Sequence, residues 1–187
     1  MAKVDRSKAN YELIKKTIGK KLQYSSLDTH DKQIIIKELL KTTNNFCPFT
    51  GTLSPIERSW TIEHFYPQCR FKEKQLDWIN LFHCIGDANL SEIQYRQEWD
   101  PPSVYSPEEV DYVQVLICDM YSFQIKPIDS NDQKAINTIA RYNLNSIGKK
   151  QSREYWFRNK DKYLNEYHPF YEYFQTKNPN ITKTTQL

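Results

Sequence analysis

Apolar residues near the start of the chain recur at helical spacing. Tyr11, Leu13, Ile14 and Ile18 fall three or four apart, and Ile34, Ile35, Ile36, Leu39 and Leu40 follow Asp28 and Thr29, either of which can cap a helix. The pattern predicts two helices between residues 9 and 42. The run Asn44-Asn45-Phe46-Cys47-Pro48-Phe49-Thr50-Gly51 breaks the period and reads as a turn. From Ser59 to Phe65 the period becomes two: Trp60, Ile62 and His64 share one face of an extended segment, and Thr61, Glu63 and Phe65 the other. Pro67 ends it. Residues 68–79 read as a polar loop, residues 80–83 as a short second strand or the bend before one, and Ala88 to Tyr95 as the start of a helix.

The character changes after Trp99-Asp100-Pro101-Pro102. Pro107-Glu108-Glu109 suits a helix start or a turn. Val113, Val115 and Ile117 alternate like a strand, and Tyr121, Phe123 and Ile125 predict a further strand within 119–128. Asp129-Ser130-Asn131-Asp132 offers capping residues for a helix from about Gln133 to Tyr142. A last helix is predicted from Ser146 to Tyr167, with Tyr155, Trp156, Tyr163 and Leu164 as its apolar face; the polar tail from Gln175 is expected to fray. The fold class this pattern implies is α+β, with no internal repeat.

With 187 residues, one domain is the default. An aromatic content of 14% supplies a core and argues against disorder. The chain has four Gly and no GxGxxG or GxxxxGK[ST] pattern, which leaves a nucleotide-binding role without local support. A net charge of +3 permits nucleic-acid binding without demanding it, and Lys15-Lys16, Lys20-Lys21, Lys149-Lys150 and Arg158-Asn159-Lys160 suit solvated helix faces better than DNA contacts. Cys47, Cys69, Cys84 and Cys118 form no disulfide framework. No apolar run approaches the roughly 20 residues of a membrane span, and a cytoplasmic, reduced protein is expected.

The chemistry concentrates at Glu63-His64. Hydrolysing a phosphodiester at a single-metal site takes a base, a divalent cation and something that orients the base. Adjacent residues on a strand point to opposite sides, so the carboxylate can turn toward a metal and the imidazole toward a phosphate. Asn80 follows His64 by sixteen residues, and Asn89 comes nine later. Glu63 and Asn89 can supply two oxygen ligands to Mg²⁺ (or Mn²⁺), which keeps several waters of its own. Asn80 can hold the loop carrying His64 by a side chain to backbone hydrogen bond.

Glu63-His64-Phe65-Tyr66-Pro67, Asn80-Leu81 and Asn89 together resemble the HNH, or ββα-metal, nuclease family. The stretch through Gln68, together with Trp99-Asp100-Pro101, Tyr121 to Pro127, Ala135 to Ile139, Tyr142-Asn143-Leu144-Asn145 and Arg153, looks like the HNH subunit of Septu-type anti-phage systems, also found beside some retrons. The likeness covers roughly residues 44 to 155. It implies a small ββα core at 44–97, between N-terminal helices at 1–43 and a helical and strand extension at 98–187. It also implies DNA as substrate, His64 as the base, Asn80 as the residue that orients it, Glu63 and Asn89 as the metal ligands, and an ATPase partner subunit.

Two departures from the family pattern bear on a structural zinc. Many such proteins carry two Cys-x-x-Cys pairs. Here the first reads Cys47-Pro48-Phe49-Thr50, and the second, at Cys84, has no second Cys. Zinc takes four tetrahedral S or N ligands, so a structural Zn²⁺ is doubtful; Cys47, His83, Cys84 and Cys69 are the residues that could be recruited. Packing by Phe46, Phe49, Trp60 and Phe82 would replace it.

The bland readings are a hydrogen-bonded structural histidine at His64, a surface carboxylate at Glu63, a turn residue at Asn80 and a helix cap at Asn89. His83 suits a structural role, His30 and His168 the surface, and Trp60, Trp78, Trp99 and Trp156 the core. Arg70, Lys72 and Lys74 either track a nucleic-acid backbone or form a solvated loop. The alternative function is a non-catalytic adaptor with a relic HNH core, docking the ATPase through its aromatic C-terminal half.

Overall fold

The computed structural model describes residues 4–19, 21–51, 60–85 and 97–159, the side chain of Trp156 apart. Within them the chain is α+β. Helix α1 spans Tyr11–Ile18 and α2 spans Thr29–Lys41. Asn10 caps α1 by accepting from Leu13 N, and Asp28 with Asp31 forms a reciprocal capping box on α2, so local chemistry sets both starts. Asn44 and Asn45 then take left-handed backbone conformations at φ 53° and 67°, which asparagine tolerates better than most residues.

Strands β1 (Trp60–His64) and β2 (Leu81–Ile85) pair antiparallel, with Ile62 opposite His83, Glu63 opposite Phe82 and His64 opposite Leu81. The register sorts the hairpin into two faces. Ile62 and Leu81 pack with Leu27, Ile35 and Leu39 on the α2 side. Phe82 and Cys84 pack with Phe49, Tyr142 and Leu144 on the other, where the Phe49 ring stacks on Tyr142 at 4.3 Å. Burying each such leucine or isoleucine contributes about 1.5–3 kcal/mol, so the hairpin is clamped between two cores.

Strands β3 (Leu116–Cys118) and β4 (Ile125–Pro127) form a second antiparallel pair. Helix α3 (Gln133–Arg141), capped by Asp132, packs on β4, and α4 spans Ile147–Arg158.

Several sequence expectations change here. Residues 68–79 contain 3-10 turns, at Lys72–Lys74 and from Trp78 on to Asn80, rather than plain loop. Val113 lies in a 3-10 turn, Tyr112–Gln114, and the strand begins only at Leu116. The strand expected across 119–128 is cut to Ile125–Pro127. Asp119 Oδ1 accepts from the backbone N–H groups of Tyr121 and Ser122, Asp119 N donates to Gln124 O, and Phe123 takes a left-handed φ of 53°. That turn leaves Tyr121 fully exposed and buries Phe123. On α4, Tyr155 is half exposed rather than on an apolar face, and Arg153 is buried in its place, its Nε and Nη2 donating to Phe123 O. Trp60 is buried as expected, whereas Trp78 and Trp99 are only half-buried. The helix expected from Ala88, the side chain of Trp156, and the residues from 160 on, His168 among them, lie outside the described residues. No helix among the described residues is long and apolar enough to cross a membrane.

Candidate active site

Glu63 and His64 end β1 and project to opposite faces, as strand geometry requires. Both line an open cleft of about 470 Å³ that runs along β1. His64 is 6% exposed. Its Nε2 lies 3.0 Å from Gln75 O. A carbonyl only accepts, so Nε2 carries the hydrogen and Nδ1 the lone pair. The Tyr24 ring stands edge-on to the imidazole, with centroids 4.6 Å apart. Gln75 organises both rings, because its Oε1 also accepts from Tyr24 N at 3.0 Å. Burial lowers the His64 pKa below its ordinary value, against the opposing effect of the Gln75 carbonyl. The ring is therefore a neutral base at pH 7.

Asn80 is 1% exposed and immediately precedes Leu81, the residue opposite His64 in the hairpin. Its Oδ1 accepts from Tyr66 N at 2.6 Å, and its Nδ2 donates to Tyr66 O at 3.1 Å and Lys74 O at 2.9 Å. Asn80 O accepts from Phe65 N at 3.0 Å, which carries the ladder one step past the hairpin. One amide thus joins the segment leaving His64 to the segment that carries Gln75.

Glu63 faces the other core. Burial pushes its carboxyl up to about 7, while the Arg141 guanidinium pulls it down. Arg141 Nη2 lies 3.7 Å from Glu63 Oε1 and donates to Phe65 O at 2.7 Å, and its Nη1 donates to Trp99 O at 3.0 Å. Sequence reasoning did not single out Arg141. A signal existed: Ala135, Thr138 and Arg141 recur every third residue and form the buried stripe of α3.

Asn89 lies outside the described residues, so Glu63, His64 and Asn80 are the expected site residues that the geometry brings together. Of the basic residues considered beside them, Arg70 forms a two-pronged ion pair with Asp100, and Lys74 Nζ lies 3.4 Å from the centre of the Tyr66 ring. Among the described residues no three His, Cys, Asp or Glu side chains converge on one point. Cys47 and Cys84 are buried and Cys69 is exposed. Burial raises the Cys84 thiol well above its ordinary pKa, and the neighbouring Cys47 adds to the shift. His83 is fully buried, with its Nε2 2.9 Å from both Phe46 O and Thr43 Oγ1. Phe46, Phe49, Trp60 and Phe82 are all buried in the same region.

The chain matches no protein-family model and no curated protein sequence.

Proposed function

We propose that the protein is a metal-dependent endonuclease of HNH type that hydrolyses DNA phosphodiester bonds. The observation that carries the reading is the His64 Nε2–H to Gln75 O bond, which leaves the Nδ1 lone pair as the base, next in sequence to the buried Glu63 on the opposite face of β1. The β1–β2 hairpin would be the ββ part of a ββα core.

In this mechanism His64 Nδ1 takes a proton from water in the cleft. The positive charge that forms on the ring is stabilised through Nε2–H by the Gln75 carbonyl. Tyr24 shields one side of the imidazole, and Asn80 holds its loop in place. The Glu63 carboxylate would be the hard oxygen donor to Mg²⁺ or Mn²⁺, and Asn89 would add an amide oxygen. Such an ion, when bound, supplies charge stabilisation for the phosphate and the leaving oxygen. The anti-phage role and the ATPase partner rest on the resemblance of residues 44 to 155 to Septu-type HNH subunits.

The test is plasmid nicking by the purified protein, alone and with a candidate ATPase partner. His64→Ala is expected to lower the rate by roughly 10²–10⁴-fold while the protein still melts cooperatively. Undiminished nicking by that variant would discard the reading. The adaptor alternative draws on the exposure of Tyr121, Ile147 and Tyr155 in the C-terminal segment. A stable complex without nicking in any combination would favour it.

A further inference from the structure

The cleft beside His64 continues into a second one of about 500 Å³, and the two share Lys32, Ile36 and Trp60. The second is lined by α2 residues, including Lys37 and Gln33, and among the described residues no carboxylate lines it. Lys32 Nζ lies 5.1 Å from the centre of the Tyr24 ring, whose edge meets His64. One aromatic ring therefore separates this ammonium from the candidate base. The acidic groups of α2 are engaged elsewhere: Asp31 pairs with Lys21 at 2.6 Å and Glu38 with Lys41 at 2.6 Å. Among the described residues no carboxylate comes within ion-pair distance of Lys32 or Lys37. Arg70, by contrast, is bound to Asp100.

We infer that Lys32 and Lys37 form a phosphate track along α2 that leads a nucleic-acid backbone into the His64 cleft. An ammonium without an acidic partner, at the edge of a groove, gains most from a phosphate, because binding releases a condensed counterion and no existing ion pair has to break. The track would be supplied by the helix before the hairpin and not by the loop after Pro67. The inference rests on the nuclease reading for the chemistry at the end of the track, but not for the binding itself.

The experiment measures binding of a short labelled DNA duplex by fluorescence anisotropy across a salt series, with the full chain carrying His64→Ala to prevent cleavage. Lys32→Gln and Lys37→Gln are each expected to weaken binding by roughly five- to tenfold at low salt and to lower the log–log salt slope by about 0.9, with the double variant losing about twice that slope. Lys32→Arg should stay close to the parent. Lys15→Gln, an exposed charge on α1, should change little. An unchanged slope in the double variant, an equal loss from Lys15→Gln, or no duplex binding by the parent would each overturn the track. Nicking assays with His64 restored separate the two ideas. Lysine-dependent binding without nicking leaves the track standing and removes the nuclease; nicking untouched by both lysine changes does the reverse.

Discussion

Arg141, with no exposed surface, holds its Nη2 3.7 Å from Glu63 Oε1 while the same nitrogen donates to Phe65 O. A residue of the C-terminal half thus clamps the end of β1 on both sides of His64. Removing the guanidinium would leave the buried Glu63 carboxyl and the Phe65 and Trp99 carbonyls without it. Arg141→Ala is expected to cost about 3–5 kcal/mol, read as a lowered midpoint in urea unfolding. Arg141→Lys should recover little, because an ammonium cannot reproduce a planar fork serving Phe65 O, Trp99 O and Glu63. A near-native midpoint for Arg141→Ala would show that the pair contributes nothing net.

Asn80 tests whether the segment that follows His64 is held by one side chain. Asn80→Asp keeps the shape but loses both donor bonds, to Tyr66 O and Lys74 O. The expected loss is about 1–3 kcal/mol, with faster hydrogen exchange at the Tyr66 amide and a fall in nicking larger than the fall in stability explains. Exchange at Tyr66 no faster than in the parent would count against that role.

His83 sets an acid limit on stability. Burial holds its pKa down at about 4, against an ordinary value of 6.5, so the folded protein keeps the ring neutral where the unfolded chain protonates it. The contribution is complete above pH 6.5 and is lost as pH falls from 6.5 to 4, amounting to about 3 kcal/mol. Urea midpoints measured against pH should fall across that window in the parent and fall less in His83→Gln. Parallel curves for the two proteins would refute the assignment.

Metal dependence follows from the proposed role of Glu63. Chelation should abolish nicking, and Mg²⁺ or Mn²⁺ should restore it. Glu63→Gln should not recover at any metal concentration, even though an amide fits the same space. Cleavage that resists chelators would remove the metal from the proposal.

The capping box on α2 offers a local test of stability. Asp28→Ala removes the bond to Asp31 N and is expected to cost about 0.5–2 kcal/mol, measurable as a lower melting temperature. An unchanged melting temperature would mean that packing of Ile35 and Leu39 alone holds the helix start.

Much of this protein is legible without its structure because the signals are local. The Asp28 and Asp132 caps, the three-and-four spacing of α1 and α2, and the alternation of β1 act within one turn or one strand. The placement of Glu63 and His64 on opposite faces follows from the strand period alone. The failures lie where distant groups decide. Alternation at Tyr121, Phe123 and Ile125 is as regular as in β1, yet Asp119 captures the intervening amides and the chain turns. Arg153 on α4 is drawn inward because the Phe123 carbonyl needs a donor, and Tyr155 is left outside.

The sequence by itself determined the residue types at the candidate site and their order, since Glu63, His64 and Asn80 sit at fixed separations on one chain. Only the tertiary structure decided the ring tautomer of His64, through the Gln75 carbonyl, and the cation beside Glu63, through Arg141. It alone brought Tyr24 and Lys32 to the cleft. These partners lie from 11 to 78 residues away from the groups they act on, and a contact across such separations is set by how helices and hairpin pack rather than by any local preference.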